Sequence, residues 1–160
     1  MTVLKSKRRE SKFEVISHAY KLRDDITDLL LCDFHYKFKE NPNETESQKQ
    51  RRMAREQWFI KDERDYIISI LRSMMYNIFQ ANKTPTTTLG ECLERRKHQN
   101  KAIGDCSVLM QELQYTIKTL PVNINKYTRF ADEISREEML LKAWRKSDNK
   151  YHKALNENKQ

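Results

Sequence analysis

A regular stripe running from Leu89 to Leu120 limits the possible folds more than any other part of the chain. Leu89, Cys92, Arg96, Gln99, Ile103, Cys106, Met110, Leu113, Ile117 and Leu120 are separated by steps that alternate three and four. That spacing is the signature of a helix burying one seam. Two seam positions, Arg96 and Gln99, are polar. Arg96 can snorkel out at a helix end or serve as a buried register or partner-binding group. Pro121 closes the stripe, with Asn123 as a plausible cap. A second stripe follows in Ile124, Tyr127, Ala131, Ile134, Leu141 and Trp144. The two predict a helical hairpin folded at Leu120-Pro121-Val122, in which Trp144 belongs to the core or to a subunit contact.

The upstream half has the same character. Val15, Ile16, Ala19, Leu22, Ile26, Leu29 and Leu30 follow the i, i+3, i+4 rule and predict a helix over about 12–38. Pro42 interrupts it, and Asn43 with Glu46 resembles an N-cap and its N3 partner. Trp58, Phe59, Ile67, Leu71, Met74, Met75, Ile78 and Phe79 give a helix over about 47–82 an apolar face. After a connection at 83–87, Thr88 and Glu91 form a T-x-x-E capping box that opens a helix over about 88–119. A last helix is expected over about 123–152. With two Gly and three Pro in 160 residues, little is left to build strands and turns. Short connections between four helices predict an all-α, antiparallel up-down-up-down four-helix bundle over 12–153. It is flanked by a flexible basic arm at 1–11 and a flexible tail at 154–160.

Several function classes find no support in the residues. Cys32, Cys92 and Cys106 are odd in number, lack CxxC spacing and fall on predicted apolar faces, which argues against a disulfide framework or a zinc site. The longest aliphatic run, Leu29 to Cys32, is far too short to span a membrane. A cytoplasmic protein with no membrane partner is expected. The chain has no E-x-x-H, no phosphate-binding glycine loop, no H-E-x-x-H and no G-x-S-x-G. His18, His35, His98 and His152 are scattered. No catalytic residue, metal or cofactor is expected, and the protein is not read as an enzyme.

A formal net charge of +8 favours a polyanionic partner, because Lys and Arg that neutralise phosphates release counterions. Such charge also suits an acidic protein. If the hairpin folds near 121–122, facing positions have numbers that sum to about 242. The run Glu94 to Lys101 then lies beside Lys142 to Lys150. The start of the first helix belongs at the same end, which adds Lys5, Lys7, Arg8, Arg9 and Lys12, and a smaller cluster at Lys49 to Arg55 lies near the other.

The hairpin residues also carry a family likeness. Glu94-Arg95-Arg96, Gln99, Ala102-Ile103-Gly104-Asp105-Cys106, Leu109, Gln111-Glu112-Leu113-Gln114-Tyr115, Leu120-Pro121-Val122-Asn123, Asn125-Lys126-Tyr127, Leu140-Leu141-Lys142 and Trp144-Arg145-Lys146-Ser147-Asp148-Asn149 resemble the accessory variability determinant proteins of diversity-generating retroelements. Phe13-Glu14-Val15 and Leu29-Leu30-Leu31 extend the likeness; residues 40–57 and the C-terminal tail do not share it. The resemblance implies a non-enzymatic basic four-helix bundle that assembles as a pentameric ring. It also implies binding to the retroelement's reverse transcriptase and to RNA or DNA, in support of mutagenic copying of a template RNA into a variable gene. The residues it carries over are Arg95, Arg96, Lys97, Lys101, Lys142, Arg145 and Lys146. A vaguer likeness to the four-helix proteins encoded in ribosomal RNA intervening sequences implies instead a structural scaffold, and an acidic protein is then the partner expected.

Overall fold

The computed structural model describes the backbone of residues 2–157 and the side chains of residues 14–157. Four long helices pack together: α1 (Thr2–Leu31), α2 (Glu46–Lys83), α3 (Leu89–Thr119) and α4 (Thr128–Glu157). Two single 3-10 turns, Asp33–His35 and Ile124–Lys126, stand in the connections. Among the described residues there is no strand, and no helix is long and apolar enough to cross a membrane. The side chains of the expected basic arm, Arg8 and Arg9 among them, lie outside the described residues, as does the chain end from 158.

Helix α3 packs against both α2 and α4, and α1 lies chiefly against α4. The buried seam of α3 is Cys92, Arg95, Gln99, Ala102, Cys106, Leu109, Leu113, Thr116 and Leu120, again in steps of three and four. Every second position of the sequence-derived stripe is thus displaced by one residue. Ile103 stays buried, while Arg96, Met110 and Ile117 are only half-buried. A helix gripped on two sides buries a band wider than one seam. Its centre line runs through a small Ala102 and a polar Thr116, which a reading weighted by hydrophobicity passes over. Helix α4 shows the same effect. Tyr127, Phe130, Ile134, Glu137, Leu141, Trp144 and Asp148 are buried at steps of three and four, whereas Ile124 is 63% exposed and Ala131 half-buried.

One layer at mid-height takes a side chain from each helix. His18 Nδ1 of α1 lies 2.8 Å from Glu137 Oε2 of α4, and Cys106 Sγ of α3 lies 3.7 Å from Met74 Sδ of α2. Burial raises the Glu137 carboxyl to about 8, with the Arg136 charge opposing. Burial, then the Arg136 and Lys21 charges, lowers the His18 imidazolium. Both shifts favour the uncharged pair, in which a protonated carboxyl donates to a neutral ring. Apolar layers on either side supply most of the driving force, each fully buried Leu or Ile contributing about 1.5–3 kcal/mol.

The first helix ends sooner than the expected residue 38. At Asp33, Phe34 and His35 the backbone turns left-handed, with φ of 48°, 60° and 54° and no glycine among them. Left-handed backbone costs roughly 1–2 kcal/mol per non-glycine residue, so something must hold it. Phe34 is driven fully into the core, the Tyr127 hydroxyl donates to the Phe34 carbonyl at 2.6 Å, and Arg64 pairs with Asp33. His35 is exposed and makes none of these contacts. His35→Gly is therefore expected to stabilise the protein by about 1 kcal/mol, read as a raised urea midpoint at unchanged m-value.

The two long connections are pinned by caps. Thr45, rather than Asn43, opens α2, through reciprocal bonds with Gln48: Gln48 N–H donates to Thr45 Oγ1 at 3.3 Å and Thr45 N–H donates to Gln48 Oε1 at 2.9 Å. Asn41 accepts from the Asn43 amide at 3.0 Å, which uses the earlier residues as a turn. Thr88 and Glu91 form the expected capping box, at 3.2 and 2.9 Å. Asn123 caps the 3-10 turn through the Asn125 amide at 3.1 Å, so α4 begins only at Thr128 rather than near 123.

Candidate polyanion interface

The hairpin brings the two basic segments together through a buried ion pair. Arg95 Nε donates to Asp148 Oδ2 at 2.7 Å and Nη2 donates to Oδ1 at 3.4 Å. Gln99 Nε2 donates to the same Oδ2 at 2.8 Å. The third arm of the guanidinium, Nη1, donates to the Thr84 carbonyl at 3.1 Å, which ties the end of α2 to the pair. The guanidinium also lies 5.1 Å from the centroid of the buried Trp144 ring. One arginine so unites α2, α3 and α4, and the planar fork of its side chain suits that task where a lysine would not. Closer to solvent, Arg145 Nη1 donates to Asn100 Oδ1 at 2.6 Å. The contacts 95–148 and 100–145 have sums of 243 and 245, close to the 242 expected from the Pro121 turn.

Arg95 is 3% exposed and all three arms of its guanidinium are occupied within the chain. Its placement corrects the expectation that it meets a partner: Arg95 holds the cationic end together and presents no charge outward. Lys97, Lys101, Lys142 and Lys146 are exposed, and Arg96 and Arg145 half-buried, around the same end. Lys97 reaches Glu94 at 3.4 Å and Lys142 pairs with Glu138, both within a single helix. Pairs of this kind on a solvated face are weak and leave the charge accessible. Lys101 and Lys146 form no ion pair with any described residue. Exposed Lys150 adds to the group from the last turns of α4.

Two of the four cations in the smaller cluster at Lys49 to Arg55 are engaged. Arg52 binds Glu44 at 2.8 Å and the Lys39 carbonyl at 2.8 Å, with its guanidinium 4.2 Å from the Phe38 centroid. Lys49 reaches Glu40 at 2.8 Å. These residues strap the 36–45 connection onto α2. Arg51 and Arg55 alone among the cations there remain exposed without an ion pair to a described residue.

Burial, reinforced by the Asp148 charge, pushes the Cys92 thiol up, away from thiolate. Cys106 is pushed up further by burial and by Glu137. Among the described residues no three His, Cys, Asp or Glu side chains are grouped so as to hold a metal ion. Sequence reasoning missed Asp148 and Glu137 as buried groups; the signal was there, since both occupy the three-four spacing of α4. Comparison of the chain with protein-family models, with curated proteins and with solved structures returned no match.

Proposed function

We propose that the protein is a non-enzymatic accessory factor of a diversity-generating retroelement, which binds the reverse transcriptase and its RNA or DNA through the cationic end of an antiparallel four-helix bundle. The observation that carries the binding surface is the Arg95–Asp148 pair, which fixes the exposed cations of α3 against those of α4. The likeness of the hairpin residues to the accessory variability determinant proteins supplies the partner and the expectation of a pentameric ring, and the cysteines without disulfide or zinc spacing suit a cytoplasmic setting. No cofactor enters this function.

Lys97, Lys101, Lys142 and Lys146, with Arg96 and Arg145 beside them, neutralise phosphates without reading bases. Affinity then falls steeply with salt and depends little on sequence. Reversing Lys101 and Lys146 together to Glu is expected to weaken single-stranded RNA binding by at least about tenfold and to flatten the salt dependence. Fluorescence anisotropy across a salt series checks both. Unchanged affinity in the double variant removes this surface from the function. An acidic protein bound at this end, with no RNA retained even at low salt, favours the scaffold alternative.

A further inference from the structure

We propose that the open cleft beside the first turns of α2, lined by Arg51 and Arg55, is an anion site for a compact diphosphate group, either free pyrophosphate or the end of a nucleotide. Arg52, on the wall of this cleft, also lines a neighbouring one with Leu120 and Pro121, so the site lies at the Pro121 end of α3. That is roughly 35 Å along the helix from Arg95. The site is separate from the cationic end and does not depend on what that end binds.

The starting observation is a pair of cations with nothing to bind. Arg51 and Arg55 are exposed, and their guanidinium groups form no ion pair or hydrogen bond with any described residue. They stand four residues apart on one face of α2, where like charges repel. The one carboxylate on the cleft wall does not relieve them. Arg52 takes both of its oxygens, Nε donating to Glu44 Oε1 and Nη2 to Oε2, each at 2.8 Å. Gln48, also on the wall, accepts the Thr45 amide at its Oε1, which leaves its NH2 group to donate. Elsewhere the chain supplies acids to its exposed cations: Lys21 meets Glu133, Arg129 meets Asp25 and Arg136 meets Glu14. At this cleft the spare capacity is cationic and donating.

The lining and the size of the cleft select the ligand. Guanidinium forks bind phosphate oxygens in pairs, and two forks one helical turn apart can each hold one phosphoryl group of a diphosphate. The cleft encloses about 680 Å³, within the usual range of small-molecule sites and far more than a lone phosphate fills. A carboxylate brings one charge and two acceptor oxygens, so an acidic peptide matches this lining less well. Ala54 is the one apolar side chain on the walls, and no aromatic ring lines them. A nucleotide therefore leaves its base in water, and the site does not discriminate between bases.

The test is equilibrium dialysis of the full chain against radiolabelled pyrophosphate, at low salt and without divalent cations. Saturable binding of one equivalent per chain is expected. Arg51→Gln combined with Arg55→Gln should weaken it by about tenfold or more. Both positions are exposed, so helicity should persist, and RNA retention measured on the same samples separates this cleft from the cationic end. Lys61→Gln combined with Arg72→Gln removes two exposed cations further along α2 and should leave pyrophosphate binding unchanged. Adenosine and uridine diphosphates should displace pyrophosphate equally well. Displacement at a lower concentration than unlabelled pyrophosphate needs assigns the ligand to nucleotides, and displacement at the same or a higher one to free pyrophosphate. A wild-type protein without saturable binding overturns the proposal, as does an equal loss in the two double variants. Displacement by RNA without terminal phosphates as effective as that by the diphosphates overturns it too, by making the cleft a stretch of RNA-binding surface.

Discussion

Asp148→Ala should lower the unfolding free energy by about 3–5 kcal/mol, the usual cost of removing one member of a buried ion pair. Its carboxylate receives three hydrogen bonds, two from Arg95 and one from Gln99. Without it a guanidinium only 3% exposed faces Trp144 and the Thr84 carbonyl with its charge uncompensated. For a chain of this size the melting temperature should fall by roughly 10 °C. The informative companion is the apolar double variant, Arg95→Met with Asp148→Leu. Burying an ion pair is itself expensive, so this replacement should recover most of the lost stability. It should also preserve the exposed lysines and hence RNA affinity, whereas Asp148→Ala should loosen the cationic end and weaken binding. A double variant as unstable as Asp148→Ala would show that the pair fixes the hairpin in a way packing cannot replace.

Glu137→Gln is the second large effect, and its sign depends on pH. Burial raises the Glu137 carboxyl from 4.5 to about 8, so the folded protein keeps a proton that the unfolded chain has released. The stability this group contributes is complete below about pH 4.5 and is lost as pH rises through about 8. Glu63, raised to about 7, acts with the same sign over a narrower range. His18 acts at the other side: burial lowers it below 6.5, and acid that charges the ring in the unfolded chain favours unfolding. The wild type should therefore lose on the order of 3–5 kcal/mol from Glu137 between about pH 5 and 8. Gln at 137 can still donate to the neutral His18 ring but cannot ionise. The variant should match the wild type near pH 5 and exceed it by several kcal/mol at pH 8 and above, in urea titrations run across that range. Equal pH slopes for the two proteins would mean that Glu137 stays ionised in the folded state.

The all-helical class could be read from the near absence of Gly and Pro and from the three-four spacing, because both are properties of the backbone and of one helix face. The Thr88–Glu91 box was equally local. What the spacing could not choose was the phase. Arg95, Ala102, Leu109 and Thr116 compete with Arg96, Ile103, Met110 and Ile117 for the same seam, and hydrophobicity favours the second set. The packing of α3 between α2 and α4 buries the first. Glu137 and Asp148 were skipped for a related reason. Their spacing marked both as core positions, but an acid there is passed over until its partner, His18 or Arg95, is found more than fifty residues away. The left-handed turn at 33–35 left no mark at all, since no glycine announces it and the contacts that hold it come from Arg64 and Tyr127.

At the candidate interface, sequence grouped the lysines at one end of the hairpin but could not tell a structural arginine from a displayed one. Arg95 and Arg96 are neighbours of identical chemistry. The first is locked on Asp148 and the second remains half-buried near solvent. A rotation of 100° per residue is enough to separate the two roles.

We propose that the cationic end joins a reverse transcriptase to nucleic acid. The most direct measurement is size-exclusion chromatography of the protein co-expressed with the retroelement reverse transcriptase and template RNA, at low and at high salt. The account predicts one co-eluting complex at low salt that dissociates as salt rises, and that fails to form when Lys101 and Lys146 are reversed. Separate elution of the protein from both the enzyme and the RNA at low salt would contradict it.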